Sequence, residues 1–205
     1  MSKGYNAANS KFDDIKNDKK DKEDFNKFIK DIISNFDLFL IGAWYISFSS
    51  KNIDEILNPL LELNKEWKSI IIWNKNQSSM GGGHFKKKYE PIIYGYQENK
   101  FYGKEYGEED VWDIQRTLKN DLHPTMKPIE LIEKAINISS LINNIVLDFF
   151  LGSGSTMVAS HQLKRKCYGM ELDTKYCDVI VKRMLKLDDT LTVKRNGIDC
   201  TNEWK

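Results

Sequence analysis

The stretch Val146-Leu147-Asp148-Phe149-Phe150-Leu151-Gly152-Ser153-Gly154-Ser155-Thr156 decides the fold. An apolar run ends on a carboxylate, a Gly-Ser-Gly turn follows, and small residues then open a helix-forming segment. That order predicts a strand over 144–149, a tight turn at 152–154 and a helix over 156–163. Such a turn lets the backbone approach a ligand closely and aims helix N–H groups at it. The same residues also serve a plain strand-to-helix turn. The spacing is not GxGxxG, and no lysine follows Gly154. Dinucleotide and nucleoside-triphosphate loops are therefore poor fits, and a nicotinamide-dependent oxidoreductase is set aside.

Two neighbouring segments extend this unit. The next predicted strand, 166–171, ends in Gly169-Met170-Glu171, and Glu171 follows Asp148 by 23 positions. An acid at the end of the adjacent strand can accept hydrogen bonds from a ribose diol; a solvated strand-end carboxylate is the plain alternative. Upstream lies His123-Pro124-Thr125-Met126-Lys127-Pro128. Its two prolines make an extended, stiff piece that delivers a hydroxyl and an ammonium just before a helix over 128–138. Such a pair suits a ligand carboxylate. His123 taken alone reads as structural.

The rest of the chain supplies strands and helices in alternation. Residues 1–21 are polar with nearly balanced charge and read as a flexible lead-in, a solvated tail rather than a DNA-binding arm. Phe25, Phe28, Ile29, Ile32, Ile33 and Phe36 fall at helical spacing and predict a helix over 22–36. Strands are predicted over 43–48, 69–73 and 89–96, with a short extended piece over 111–114. A second helix is predicted over 53–63, where Asn58-Pro59 marks a kink or break. Asn74 to Lys88, with three consecutive glycines and a basic end, reads as a mobile loop. Residues 97–109 are polar and turn-rich. A final amphipathic helix is predicted over 173–187, and the tail beyond Asp188 is expected to fray. Helices alternating with strands at this spacing predict an α/β fold with a mostly parallel, twisted sheet and helices on both faces.

Composition narrows the function. The chain has 205 residues, 40% apolar and 30% charged, which is one globular domain rather than a disordered or coiled-coil chain. The net charge of +1 means that any nucleic-acid surface is local. The three cysteines, Cys167, Cys177 and Cys200, show no CxxC spacing, so no disulfide framework or zinc knuckle is expected and a reducing cytosol is the default. The most apolar stretch, 38–48, is about half of the ~20 residues a membrane span needs. The N-terminal residues carry no apolar signal core.

Taken together, HPTMKPIELIEKAI (123–136), VLDFFLGSGSTMVA (146–159) and YGMELDTKYCDVIVKR (168–183) resemble the DNA amino-methyltransferases. These methylate adenine N6 or cytosine N4 with S-adenosylmethionine. The resemblance is to members whose cofactor half follows the catalytic half, and it covers residues 25–187. It implies a Rossmann-like, S-adenosylmethionine-dependent methyltransferase fold over 22–187, incomplete at the N-terminus. Residues 74–110 would contact the substrate, 123–187 would form the cofactor-binding half and 188–205 would be a tail. Asp148, Phe150, Gly152, Ser153 and Gly154 would line the cofactor, Glu171 would hold its ribose hydroxyls, and Thr125 and Lys127 would hold its methionine end. Lys86, Lys87 and Lys88 would reach phosphates of double-stranded DNA, a contact that positions without reading sequence; a solvated loop is the plain alternative. No metal is implied. The family implies a cytoplasmic modification enzyme of a restriction system, phage or prophage.

The sequence departs from that family in two ways. Its catalytic signature is Asp, Asn or Ser, then Pro-Pro, then Tyr or Phe. The four prolines here, Pro59, Pro91, Pro124 and Pro128, are never adjacent, so the signature is absent. The expectation is a chain that begins just after its own catalytic motif and is partial or inactive alone. A companion polypeptide carrying the absent segment, or a homo-oligomer, would then complete it. The alternative is a non-catalytic remnant or accessory protein that binds DNA or a partner. The second departure is Phe149, where the family usually has proline, which loosens the turn.

Overall fold

A computed structural model describes residues 21–78, 84–117 and 126–204. The predicted lead-in, the triple glycine and the segment from His123 to Thr125 lie outside the described residues.

The first helix, α1 (Lys22–Ser34), begins where Asp21 accepts a hydrogen bond from the Asp24 N–H at 2.9 Å. Glu23 and Asp24 in its first turn oppose the positive end of the helix dipole. The helix stops earlier than predicted. Asn35 and Ser34 bond back to carbonyls of the preceding turn, and the chain resumes as a short helix, α2 (Phe36–Phe39). Strand β1 (Ala43–Ser47) follows, then a 3-10 turn, Ser50–Asn52, and helix α3 (Ile53–Glu62). Pro59 does not break α3. It is fully buried beside Ile56 and Leu60, and core burial outweighs the lost backbone bond.

Strands β2 (Ser69–Asn74), β3 (Tyr89–Tyr96) and β4 (Val111–Asp113) complete a four-stranded sheet in the order β1-β3-β2-β4. This sheet is mixed, which corrects the mostly parallel arrangement read from sequence. β3 runs antiparallel to both β1 and β2, whereas β4 runs parallel to β2. The described residues between β2 and β3 hold no helix, and strands joined by a loop pair antiparallel without a crossover. Alternation along the strands divides the apolar residues between two faces. Trp44, Ile93 and their neighbours pack with Ile33, Ile56 and Leu60 of α1 and α3. Ile71, Trp73, Ile92 and Trp112 pack with Leu131 and Ile138 of helix α4 (Ile129–Ser139). Helices therefore cover both faces of this sheet, as predicted. Pro128 sits at the N-cap of α4, one position outside the helix.

The second unit is a βαβ crossover: β5 (Ile145–Asp148), α5 (Ser155–Gln162) and β6 (Lys166–Gly169). β5 and β6 pair in parallel, with Asp148 opposite Gly169. They form a pair of their own and are not hydrogen-bonded into the larger sheet. One face is covered, where Cys167 lies against Ser160 of α5. The other exposes Ile145 (64%), Leu147 (42%) and Tyr168 (58%). Among the described residues, β1 pairs only with β3 and β5 only with β6, so each has one unpaired edge. Helix α6 (Thr174–Leu187) packs on α5 and is capped by Asp173, which accepts from the Lys175 N–H at 2.9 Å.

The segment after α6 is ordered, contrary to the expected fraying. Strands β7 (Lys194–Arg195) and β8 (Ile198–Asp199) form a hairpin. Asn196 and Gly197 both take positive φ, 53° and 83°, which a two-residue hairpin turn requires. The Cys200 N–H bonds to the Val193 carbonyl at 2.9 Å and closes the hairpin. No helix of the described residues is long and apolar enough to cross a membrane.

Gly95 stands opposite Trp44, and a Cβ at this position would lie 2.2 Å from the indole. Gly95→Ala is expected to lower folding stability by about 1–3 kcal/mol through overpacking, read as a drop in the urea midpoint at unchanged slope. Leu60→Ala, which empties a fully buried site, is expected to cost about 2–5 kcal/mol by the same measurement.

Candidate functional site

The carboxyl ends of β5 and β6 carry the two acids singled out in the sequence. Asp148 closes β5. One of its oxygens accepts from the Phe150 N–H at 2.8 Å, and the other accepts from the Thr156 hydroxyl at 2.6 Å. The acid therefore ties the start of the turn to the first turn of α5. Gly152 and Gly154 take φ of 53° and 80°, the left-handed region that glycine enters without steric cost. A Cβ on Gly154 would also press on Ile180 of α6 at 3.0 Å. Phe149 lies within the span that Asp148 bridges from Phe150 to Thr156.

Glu171 follows β6. One oxygen accepts from the Gly152 N–H at 2.7 Å and the other from the Asp173 N–H at 2.8 Å. Asp148 and Glu171 thus lie at the same end of two adjacent parallel strands and meet through a single turn. The buried Ser153 and Ser155 anchor that turn beneath. The Ser153 carbonyl accepts from the Arg183 guanidinium at 2.9 Å, and the Ser155 hydroxyl donates to the Lys127 carbonyl at 3.0 Å. Phe150 is exposed and meets Phe28 of α1 edge-on, with centroids 5.8 Å apart.

A second polar group lies at the carboxyl end of the four-stranded sheet. There β1, β2 and β4 end at Ser47, Asn74 and Asp113, and the antiparallel β3 begins with Tyr89 and Glu90. Glu90 stands opposite Trp73 in register. Its carboxylate pairs with Lys75 through one oxygen and with Lys127 through the other, the latter at 2.5 Å. Both ammonium groups lie over the Trp73 ring, 4.7 and 5.5 Å from its centroid. Burial pushes the Glu90 carboxyl up, but Lys127 and Lys75 outweigh it and hold the group below the usual carboxylate range. The Trp73 N–H donates to the Ile114 carbonyl at 2.7 Å, which fixes the ring.

The structure thus brings together Asp148, Phe150, Gly152, Ser153, Gly154 and Glu171, and joins Lys127 to them through Ser155. Thr125 lies outside the described residues. Lys86, Lys87 and Lys88 are exposed on the approach to β3, and Lys87 donates to the Ser49 hydroxyl at 2.8 Å. Glu90, Lys75, Thr156 and Arg183 escaped the sequence reading. Of these only Glu90 left a signal, as a lone acid at the head of an apolar strand behind three lysines.

Comparison with known proteins places this geometry in a family. The model of a DNA methylase family, N6_N4_Mtase, matches residues 1–182. The chain is 29% identical over 168 residues to the type II methyltransferase M.HinfI of Haemophilus influenzae, which covers 71% of this chain and 47% of that protein. It is 28% identical over 185 residues to the type II methyltransferase M2.LlaDCHI of Lactococcus lactis subsp. cremoris, covering 81% and 68%. The chain therefore spans about half the length of the first relative and about two thirds of the second. Among solved structures, it superposes on M1.HpyAVI, crystallised as a SAM complex, with a TM-score of 0.63 at 25% identity, over 79% of this chain and 93% of that one. The PvuII cytosine-N4-specific DNA methyltransferase shares the fold at a TM-score of 0.69 and 14% identity, covering 88% and 78%. The α/β fold is thus Rossmann-like, and with its turn and paired acids as described the chain belongs to the N6_N4_Mtase family of DNA methylases.

Proposed function

We propose that this chain binds S-adenosylmethionine at the carboxyl ends of β5 and β6 and serves site-specific methylation of the exocyclic amino group of adenine or cytosine in DNA. The observation that carries the reading is the junction of Asp148 and Glu171 through the turn at Gly152. The residues present fit such a nucleoside. Each Glu171 oxygen already takes one backbone N–H and keeps a lone pair for a ribose hydroxyl. The exposed Phe150 ring offers an apolar face, and the partly exposed Gly152 leaves the backbone open to close approach. In this reading Asp148 fixes the turn, Glu171 orients the sugar, and Thr125 and Lys127 hold the amino-acid end. When bound, the cofactor supplies an electrophilic methyl group on sulfonium. The chain's own contribution is to bind and orient, because proximity is what the protein adds to such a transfer.

Double-stranded DNA is the proposed macromolecular substrate, with Lys86, Lys87 and Lys88 contacting its phosphates. The same reading places the protein in the cytoplasm with its DNA. Amino-group methylation needs a base taken out of the duplex and held beside the cofactor. The family's Pro-Pro signature, which does this holding, is not in the sequence. The edges of β1 and β5 that have no partner among the described residues, and the exposed Ile145, Leu147 and Tyr168, support completion by a companion polypeptide or a second copy. The missing signature also favours a second reading, a non-catalytic accessory protein that binds DNA or a partner.

Calorimetric titration separates the two. S-adenosylhomocysteine is expected to bind the purified chain, and Glu171→Gln to weaken that binding by about tenfold or more, as for loss of a charged hydrogen-bond acceptor. No heat and no thermal shift up to millimolar ligand would leave the accessory reading. With radiolabelled S-adenosylmethionine, the chain alone is expected to transfer no label to DNA; transfer would show that it needs no companion.

A further inference from the structure

Glu90 has no role in the cofactor reading above, yet its carboxylate pairs with Lys127, the residue that ties the large sheet to the glycine turn. It projects from the first turn of contacts of β3 onto the Trp73 side of the sheet, the face that α4 covers. Two lysines reach it from different directions. Lys75 comes from the end of β2, and Lys127 comes from the segment that leads into α4. All three side chains are substantially withdrawn from solvent, with exposures of 25% for Glu90, 15% for Lys75 and 31% for Lys127. The Lys127 main chain is fixed from the other side, by the Ser155 hydroxyl at the head of α5. Lys127 therefore runs from the glycine turn to the rim of the large sheet.

The electrostatics are asymmetric. Two ammonium groups share one carboxylate and one indole ring. Glu90 makes their closeness favourable, and without its charge they repel. Lys75 is the more buried and is held by the loop backbone, its N–H donating to the Lys88 carbonyl at 2.7 Å. Lys127 is the more exposed of the two, so its ammonium is the one an incoming anion can reach. An ammonium has three N–H donors, so Lys127 can serve Glu90 and still offer a proton to a second anion. The cluster carries a net single positive charge, matched to one incoming carboxylate.

We propose that Glu90 is a positioning residue: by pairing with Lys75 and Lys127 against Trp73, it holds the Lys127 ammonium in place for the carboxylate at the amino-acid end of the cofactor. The inference rests on the cofactor reading above and adds to it the group that fixes the lysine. A fixed ammonium binds without losing the rotamer freedom that a loose lysine gives up.

The test compares two ligands on the full chain. S-adenosylhomocysteine carries the amino-acid end, and 5′-methylthioadenosine keeps the nucleoside and lacks that end. Glu90→Gln is expected to weaken S-adenosylhomocysteine by about tenfold and to leave 5′-methylthioadenosine within about twofold, measured by calorimetry. Adding Lys75→Met to that variant removes the repelling neighbour and is expected to restore most of the loss. Equal weakening of both ligands would mean a merely structural role and would overturn the proposal, as would unchanged affinity for S-adenosylhomocysteine. Should Glu90→Gln fail to fold, Glu90→Asp keeps the charge on a shorter arm. It is expected to cost S-adenosylhomocysteine about threefold and 5′-methylthioadenosine nothing; no selective loss there overturns the proposal too. If the unaltered chain binds neither ligand, the cofactor reading itself fails and Glu90 falls with it. If it binds both and the variants match it, only the role of Glu90 fails.

Discussion

The Glu171 carboxylate, by accepting the Gly152 and Asp173 N–H groups together, holds the β5–α5–β6 unit and the start of α6 in one geometry. It crosses from the end of β6 to the turn after β5 and also reaches the cap of α6. Backbone N–H groups in a left-handed turn have no ladder partner, so a carboxylate that accepts them stabilises a shape the chain would otherwise not keep. Asp148 does the same from the other side, through Phe150 and Thr156. Two acids thus brace one turn, and the glycines within it are the residues that can take the required φ.

A polar spine connects this turn to the large sheet. Arg183 of α6 holds the Ser153 carbonyl, Ser155 holds the Lys127 carbonyl, and Lys127 holds Glu90 on β3. Each contact is partly buried, where a charged hydrogen bond is stronger than at the open surface and an unpaired member costs more. β5 and β6 share no backbone ladder with the four-stranded sheet. Side chains, α4 and the Phe28–Phe150 contact therefore carry the relation between the two units.

That same separation explains the apolar surface. A strand buried on both faces and paired on both edges needs neighbours. β5 has β6 on one edge, α5 packs against β6, and Ile145 and Leu147 of β5 face solvent. A sheet edge with free N–H and C=O groups beside exposed apolar residues is a template for another strand. The chain carries a braced turn at one end of this unit and an open, apolar side next to it.

The sequence by itself determined the local pieces. The strand–turn–helix at Asp148 to Thr156, the acid at Glu171 and most strand and helix limits were legible, because periodicity, capping and glycine chemistry act within a few residues. Asn196-Gly197 carries the same kind of local signal, and the hairpin it forms stands where the polar composition predicts a frayed tail. The helix continues through Pro59 and stops at Asn35 because burial and back-bonding at these positions outweigh propensity. Only the tertiary structure decided the order β1-β3-β2-β4, the separation of β5-β6 from it, and the meeting of Glu90 with Lys127 across 37 positions of sequence. Such pairings depend on which faces are buried together, and no short-range pattern encodes that.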